Sequence, residues 1–147
     1  MDSPLKVVND EENYQAFRSL LKSSSLPADD LNFKKDLLVG YYEDGAMVGT
    51  GALEVYGDYA LLRSLSVKLG TRGKALGTAI TEHLIAEAKK RKLKGIYLLT
   101  ETAHGFFLRK GFQDVARDKV PDALRASSEF SHVCPDTAAA MHLDITA

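Results

Sequence analysis

The feature that most constrains this chain is the stretch Arg-Ser-Leu-Ser-Val-Lys-Leu-Gly-Thr-Arg-Gly-Lys-Ala-Leu-Gly-Thr at residues 63–78. Leu61 and Leu62 lead into Leu65 and Val67, an apolar β-compatible run that reads as a strand. Gly70 breaks it. Helical spacing follows, with Leu76, Ala79, Ile80, Leu84 and Ala88 falling on one face. A strand, a short basic turn with glycines and a helix N-terminus together form an anion site. Backbone N–H groups without helical acceptors converge there with the positive end of the helix dipole, and Arg72 and Lys74 add full charges. From this stretch alone, a basic turn that merely caps a helix stays open.

Two common anion loops are excluded by spacing. A nucleotide P-loop needs Gly, four residues, Gly-Lys and then Ser or Thr. Here Gly73-Lys74 precedes Ala75, and the earlier glycine position holds Lys68. The dinucleotide pattern Gly-x-Gly-x-x-Gly is not met by Gly70, Gly73 and Gly77.

Bulk properties narrow the class. At 147 residues the chain is most simply one domain with a proper core. It is 45% hydrophobic and 27% charged with a formal net charge of −1, which argues against nucleic acid as a partner. The lone Cys134 permits no internal disulfide or cysteine-rich metal site and suits a reducing compartment. Met-Asp-Ser-Pro opens the chain without an apolar run, and no stretch approaches the roughly 18 apolar residues of a membrane span. The expectation is a cytoplasmic protein with no membrane partner and no metal.

Taken in order, residues 5–8 read as a first strand. Asn9 then caps a helix with Glu11 and Glu12 in its first turn and Tyr14, Phe17 and Leu21 on its buried face. Pro27-Ala28-Asp29-Asp30 opens a second short helix. Strands are expected at 37–43, 46–56 and 59–67, joined by turns at Asp44-Gly45 and Gly57-Asp58. A helix over 72–91 ends in Lys89, Lys90, Arg91 and Lys92, which suit its negative end. A strand at 96–101, a helix from about 102 to 110, a strand after Gly111-Phe112 and an extended piece near 140–145 complete the pattern. Three meander strands followed by alternating strands and helices predict an α/β fold with a mixed, mostly antiparallel sheet flanked by helices.

Arg72-Gly73-Lys74-Ala75-Leu76-Gly77 resembles the pyrophosphate loop of the GCN5-related N-acetyltransferases (GNAT), with Ala75 where glycine is more usual. Thr102-Ala103-His104-Gly105-Phe106-Phe107-Leu108-Arg109-Lys110-Gly111-Phe112 resembles that family's second signature. The stretch 98–112 is further similar to the acetyltransferase domain of amino-acid N-acetyltransferases such as N-acetylglutamate synthase. With Val120 to Pro135 it is closer to small N-acetyltransferases found with bacterial arsenic-resistance genes. Asp136-Thr137-Ala138 stands where the synthases carry basic residues, which sets a glutamate acceptor in doubt.

The resemblance implies one N-acetyltransferase domain over 1–147, a splayed strand pair, acetyl-CoA as cofactor and a small primary amine, such as an amino acid, as acceptor. It places the cofactor on residues 72–78, that is Arg72, Gly73, Lys74, Ala75, Leu76, Gly77 and Thr78, and on Thr102, Phe106, Phe107 and Arg109. Leu65 and Val67 would pair with the pantetheine like an added strand, with the backbone N–H of Ser66 or Val67 facing the thioester carbonyl. Many relatives have Tyr at the position of Phe107, whose hydroxyl protonates the leaving thiolate; here that proton would come from water or Thr102. The amine needs a base. Glu101 leads the candidates, since ligands gather at carboxyl ends of strands, ahead of Glu54 and Glu129. His104 is a helix cap or a proton relay, and His132 and Cys134 are candidate pocket residues. Arg63, Arg125 and Glu129 are the candidate acceptor contacts, the arginines through bidentate bonds to a carboxylate. A homodimer is compatible with this reading. The alternative is an acyl-CoA-binding module or sensor without efficient turnover.

Overall fold

The middle of the sheet is set by two tight turns. The computed structural model describes residues 4–24, 26, 31–68, 73–100, 103–125 and 138–146, and only the backbone of 73–75 and 125. Asp44 and Gly45 take φ of 52° and 81°, the paired positive values of a type I′ hairpin. They join β2 (Leu37–Glu43) to β3 (Ala46–Tyr56). Gly57, at φ 63°, turns β3 into β4 (Tyr59–Val67). The other elements are β1 (Leu5–Val7), α1 (Glu11–Ser23), α2 (Gly73–Lys90), β5 (Gly95–Thr100), α3 (His104–Arg109), β6 (Gln113–Asp114), a 3-10 turn at Arg117–Lys119, α4 (Asp122–Arg125) and β7 (Ala139–Asp144). The strands order as β1-β2-β3-β4-β5-β7-β6. β4 and β5 run parallel, whereas β1/β2, β2/β3, β5/β7 and β6/β7 are antiparallel. This is the mixed, mostly antiparallel sheet expected. Contacts sort the chain into two compact units, Met1–Glu54 with Leu62–Ala86 and Val55–Leu61 with Glu87–Ala147.

In the first unit α1 buries Phe17 and Leu21 with Val8, Leu31, Leu38 and Ala52. Its cap is Asp10, not Asn9. The Asp10 carboxylate accepts the Asn13 N–H at 2.8 Å and the Asn13 amide at 3.0 and 3.1 Å. A carboxylate at the positive helix end gains from the dipole as well as from the hydrogen bond, which favours Asp over its neighbour. α2 lays Leu76, Ile80 and Leu84 inward, all nearly inaccessible. The approach is close because β3 offers Gly49 and Gly51 beneath Ile80. The second helix expected from Pro27 lies outside the described residues.

In the second unit β7 pairs along β5 from Gly95↔Asp144 to Thr100↔Ala139. The core joins Leu61 and Tyr97 to Val120 and Leu124, which the 3-10 turn and α4 bring in. Those two short elements escaped the sequence reading, because four residues are too few to show a period. Gly111, at φ 97°, follows the α3 C-cap Lys110 and donates to Leu108 O. Only glycine enters that left-handed position cheaply. It turns the chain so that Phe112 stacks edge-on against Phe107, centroids 5.5 Å apart. The Gly-Phe signature is thus a helix stop with a hydrophobic latch.

Candidate functional site

The described part of the turn supports an anion site. α2 is helical from Gly73, so its first N–H groups have no intrahelical acceptor and the helix dipole points there. Ala75 lies inside this helical backbone rather than at positive φ, so glycine is not required there. Leu76 and Gly77 are buried and Thr78 is half-buried. Arg72 lies outside the described residues, as do the side chains of Lys74 and Ala75.

β4 carries the unusual backbone. Its parallel register with β5 covers only Tyr59–Leu61 against Gly95–Tyr97, and the strand runs on to Val67. Ser64 then takes φ 63°, a left-handed value costing a non-glycine residue about 1–2 kcal/mol. Its carbonyl accepts the buried Thr50 hydroxyl at 2.7 Å, which holds the kink. Its own hydroxyl is buried with no hydrogen-bond partner. Beyond the kink Leu65 and Val67 are half-buried. The Ser66 hydroxyl is bound to that of Ser24, the α1 C-cap, at 2.5 Å. The Ser66 side chain is thus engaged with α1 in this structure. An open cavity of about 580 Å³ lies here, lined by Ser19, Ser23, Ser24, Met47, Val67 and Lys68 among others.

Arg63 is interior. Its Nη1 donates to Glu54 Oε1 at 3.0 Å, with the two side chains 1% and 5% exposed. Asp36 is also buried and accepts the Asn32 N–H at 3.0 Å. Burial is the largest influence on Asp36 and holds its carboxyl above the usual range. The Asn32 bond opposes that shift, the Glu54 charge adds to it, and Lys35 and Arg63 oppose it. Two carboxylates thus share the field of one guanidinium. Glu54, weighed from sequence as a base, is occupied as the partner of Arg63.

In the second unit Phe107 is 4% exposed and packs edge-on against Phe106 as well as Phe112. Phe106 is half-buried with the Lys110 ammonium 5.4 Å from its centroid, and Arg109 is exposed. His104 does not cap α3. Ala103 is the N-cap, and the His104 Nε2 lies 2.7 Å from Asp114 Oδ1. That partner, on β6, holds the ring by a charge-assisted bond that a cap would have to forgo. Glu101, Thr102, Glu129, His132, Cys134 and the Arg125 side chain lie outside the described residues. Among the described residues no cluster of His, Cys, Asp or Glu is arranged to hold a metal.

A family model described as an acetyltransferase (GNAT) domain matches residues 34–114, more than half of the chain. The chain belongs to the GNAT acetyltransferase family. Solved structures agree on the fold. Rv2747 from Mycobacterium tuberculosis, in complex with CoA and NLQ, superposes with TM-score 0.75 at 20% identity, over 95% of this chain and 99% of that one. N-acetylglutamate synthase from Neisseria gonorrhoeae, complexed with coenzyme A and N-acetyl-glutamate, gives TM-score 0.73 at 15% identity over 98% of this chain; this chain spans only 36% of that one. The ribosomal-protein-S18-alanine N-acetyltransferase from Escherichia coli gives 0.71 at 20% identity, over 97% and 95% of the two chains.

The acetyltransferase is thus an N-acetyltransferase that uses acetyl-CoA. The N-terminal N–H groups of α2 would hold the diphosphate, and the β4 backbone past Ser64 would meet the pantetheine. Acetyl-CoA supplies the activated acetyl thioester. The protein's contribution would be to orient the acceptor nitrogen and to present N–H donors to the developing oxyanion.

Proposed function

We propose that the acetyltransferase moves an acetyl group to the primary amine of a small amino acid or a close analogue, in the cytoplasm. The observation that carries this reading is the fold this chain shares with a synthase solved with an acetylated amino acid. Arg63 is proposed as an acceptor contact on the affinity of a guanidinium for carboxylates; its side chain is 1% exposed and bound to Glu54, so an acid group would reach it only once that region opens. The N-acetyl-glutamate in the complex of the gonococcal synthase, an acetylated amino acid, supports the same class. Glu101 is proposed as the base that frees the amine, and Arg125 and Glu129 as further acceptor contacts. The test is thiol release from acetyl-CoA across a panel of amines with and without an acid group. Acid-bearing amines should turn over fastest. Equal turnover of amines lacking any acid would end the proposal.

The second reading is an acyl-CoA-binding module without efficient turnover. Phe107 favours it, since a phenyl ring has no proton for the leaving thiolate and this ring is embedded in the core. Absence of thiol release from every amine, with coenzyme A binding intact, would select it.

A further inference from the structure

We propose that the open cavity between α1 and the end of β4 receives the acceptor's side chain and selects amino acids whose side chain is uncharged, mainly apolar and larger than a methyl group. This rests on the reading above that the acceptor is an amino acid, and names which kind.

At about 580 Å³ the cavity has the size of a small-molecule site, roughly 300–1,000 Å³. Its described lining comes from three elements of the first unit. On α1, Ala16, Ser19, Leu20 and Ser23 are spaced three or four apart and so stand in one row. β3 supplies Met47 and β4 supplies Val67. Met47 lies across Gly40, where a Cβ would come within 2.7 Å of its Cε, so the thioether is bedded on β2. Such a side chain adapts to ligands of differing shape. The Lys68 N–H donates to Val48 O at 2.8 Å and holds the end of β4 to β3.

Two contacts put this cavity beside the chemistry. Val67, which lines it, is one of the two residues whose backbone N–H is expected at the thioester carbonyl. Ser24, also in the lining, shares a hydroxyl hydrogen bond of 2.5 Å with Ser66, the other of the two. An amine held at that carbonyl has the cavity next to it.

The lining sets what fits. Leu20, Met47 and Val67 are half-buried and offer apolar surface. The serines carry no charge, and the Ser23 hydroxyl donates to Leu20 O at 2.7 Å, which leaves its oxygen as an acceptor. Among the described lining residues none is acidic and Lys68 alone is cationic; it is exposed, where water weakens its field. A glutamate or lysine side chain would desolvate its charge against apolar atoms with no buried partner. A leucine or methionine side chain escapes that penalty and gains from leaving water.

The measurement is kcat/KM by thiol release for alanine, leucine, methionine, glutamate and lysine, with ethylamine and 3-methylbutylamine as the acid-free counterparts of alanine and leucine. Leucine and methionine should exceed the other three by at least about tenfold, as added methylenes in an apolar pocket do. Ser19 is exposed on α1, so Ser19→Phe should fold while filling the cavity. The leucine-to-alanine ratio should then fall to about one. Gln15→Phe, equally exposed on α1 but outside the described lining, should leave that ratio within about twofold.

Alanine, glutamate or lysine matching leucine in wild type would overturn the inference. So would a ratio that Ser19→Phe leaves unchanged, or one that Gln15→Phe lowers as much. If the two amines turn over as fast as their amino acids, the amino-acid reading falls. The preference for 3-methylbutylamine over ethylamine, and its loss in Ser19→Phe, then decides the cavity alone. If no amine turns over, calorimetry of N-acetyl-leucine and N-acetyl-alanine with the coenzyme A complex replaces the assay. A preference of about tenfold for N-acetyl-leucine that Ser19→Phe abolishes supports the assignment, and equal affinities refute it.

Discussion

Gly51→Ala tests the seat on which α2, the helix proposed to hold the cofactor, rests. A Cβ at Gly51 would lie 2.5 Å from Ile80 Cγ2 and 3.0 Å from Leu84 Cδ1. Cγ2 is bonded directly to the Ile80 Cβ, and a β-branched residue in a helix has one dominant χ1, so the methyl cannot swing aside. α2 must therefore move. Overpacking of this kind costs about 1–3 kcal/mol, offset by the roughly 0.4–1 kcal/mol that glycine's unfolded-state entropy gives back. The net expectation is a loss of about 1–2 kcal/mol, or a Tm lowered by roughly 2–8 °C. Gly49→Ala is the control. Its Cβ would meet Ile80 Cδ1 at 2.8 Å, but that atom ends a flexible side chain and can rotate away, so stability should hardly change.

Relief should come from the other side of the contact. Ile80 is fully buried, so Ile80→Ala alone should cost about 2–5 kcal/mol. In that background the Gly51→Ala methyl occupies vacated space, and its effect should turn neutral or stabilising. The coupling is then about 1–3 kcal/mol, measurable by urea denaturation of the four proteins of the cycle. Because α2 opens at the anion site, Gly51→Ala should also raise KM for acetyl-CoA, while Gly49→Ala should not. An equal cost of Gly51→Ala in both backgrounds would refute the claim that this glycine exists to admit the helix.

Gly77→Glu sets a carboxylate and bulk at the anion site, and calorimetry should show coenzyme A binding weakened more than about tenfold in a protein whose circular dichroism is unchanged. Ser64→Gly removes the penalty at φ 63° and should raise stability by about 0.5–1 kcal/mol in urea denaturation. Asp36 has a folded-state pKa above the ordinary range, so its contribution to stability is present at low pH and lost as pH rises through that value. Asp36→Asn should therefore gain on wild type in Tm at neutral pH, and the difference should close toward pH about 4. Phe107→Tyr and Phe107→Leu, compared by single-turnover kinetics at saturating acetyl-CoA, should leave the chemical step within about tenfold of wild type, whereas a large gain for Tyr would favour the binding-module reading.

Local chemistry made much of the fold legible. The bounds of β2, β3 and β4 agree with the sequence expectation because Asp44-Gly45 and Gly57-Asp58 end strands by backbone conformation alone. α2 was legible from its apolar period, while most of the basic turn before it lies outside the described residues. What failed depended on distant partners. His104 read as a cap until Asp114, ten positions on, supplied a better bond. The Glu54–Arg63 pair did leave a signal. The turn at Gly57-Asp58 makes residues 54 and 61 directly opposite, so Arg63 is the diagonal neighbour of Glu54, within reach of long side chains. Reading opposite charges across a hairpin, rather than listing each as a separate candidate, would have found it.

Ser64 left no such trace, and the reason bears on function. Left-handed backbone is foreseen where glycine, Asn or Asp stands, since those residues enter it most cheaply. A serine inside an apolar strand gives no warning. The structure nonetheless keeps it there, with Thr50 bound to its carbonyl and its hydroxyl buried without a partner. Strain held against these alternatives points to a task for the backbone around it. On an extended β4, Arg63 and Ser66 would sit on opposite faces, because strand residues three apart differ in parity. The kink at 64 changes that parity, which lets Arg63 reach Glu54 while the Ser66 hydroxyl reaches Ser24 on α1. Acyl transfer without a side-chain acid at Phe107 depends on positioning, so a rigid offset in this strand serves catalysis more than a relaxed strand would. Relieving it through Ser64→Gly should thus stabilise the protein and slow the chemical step together.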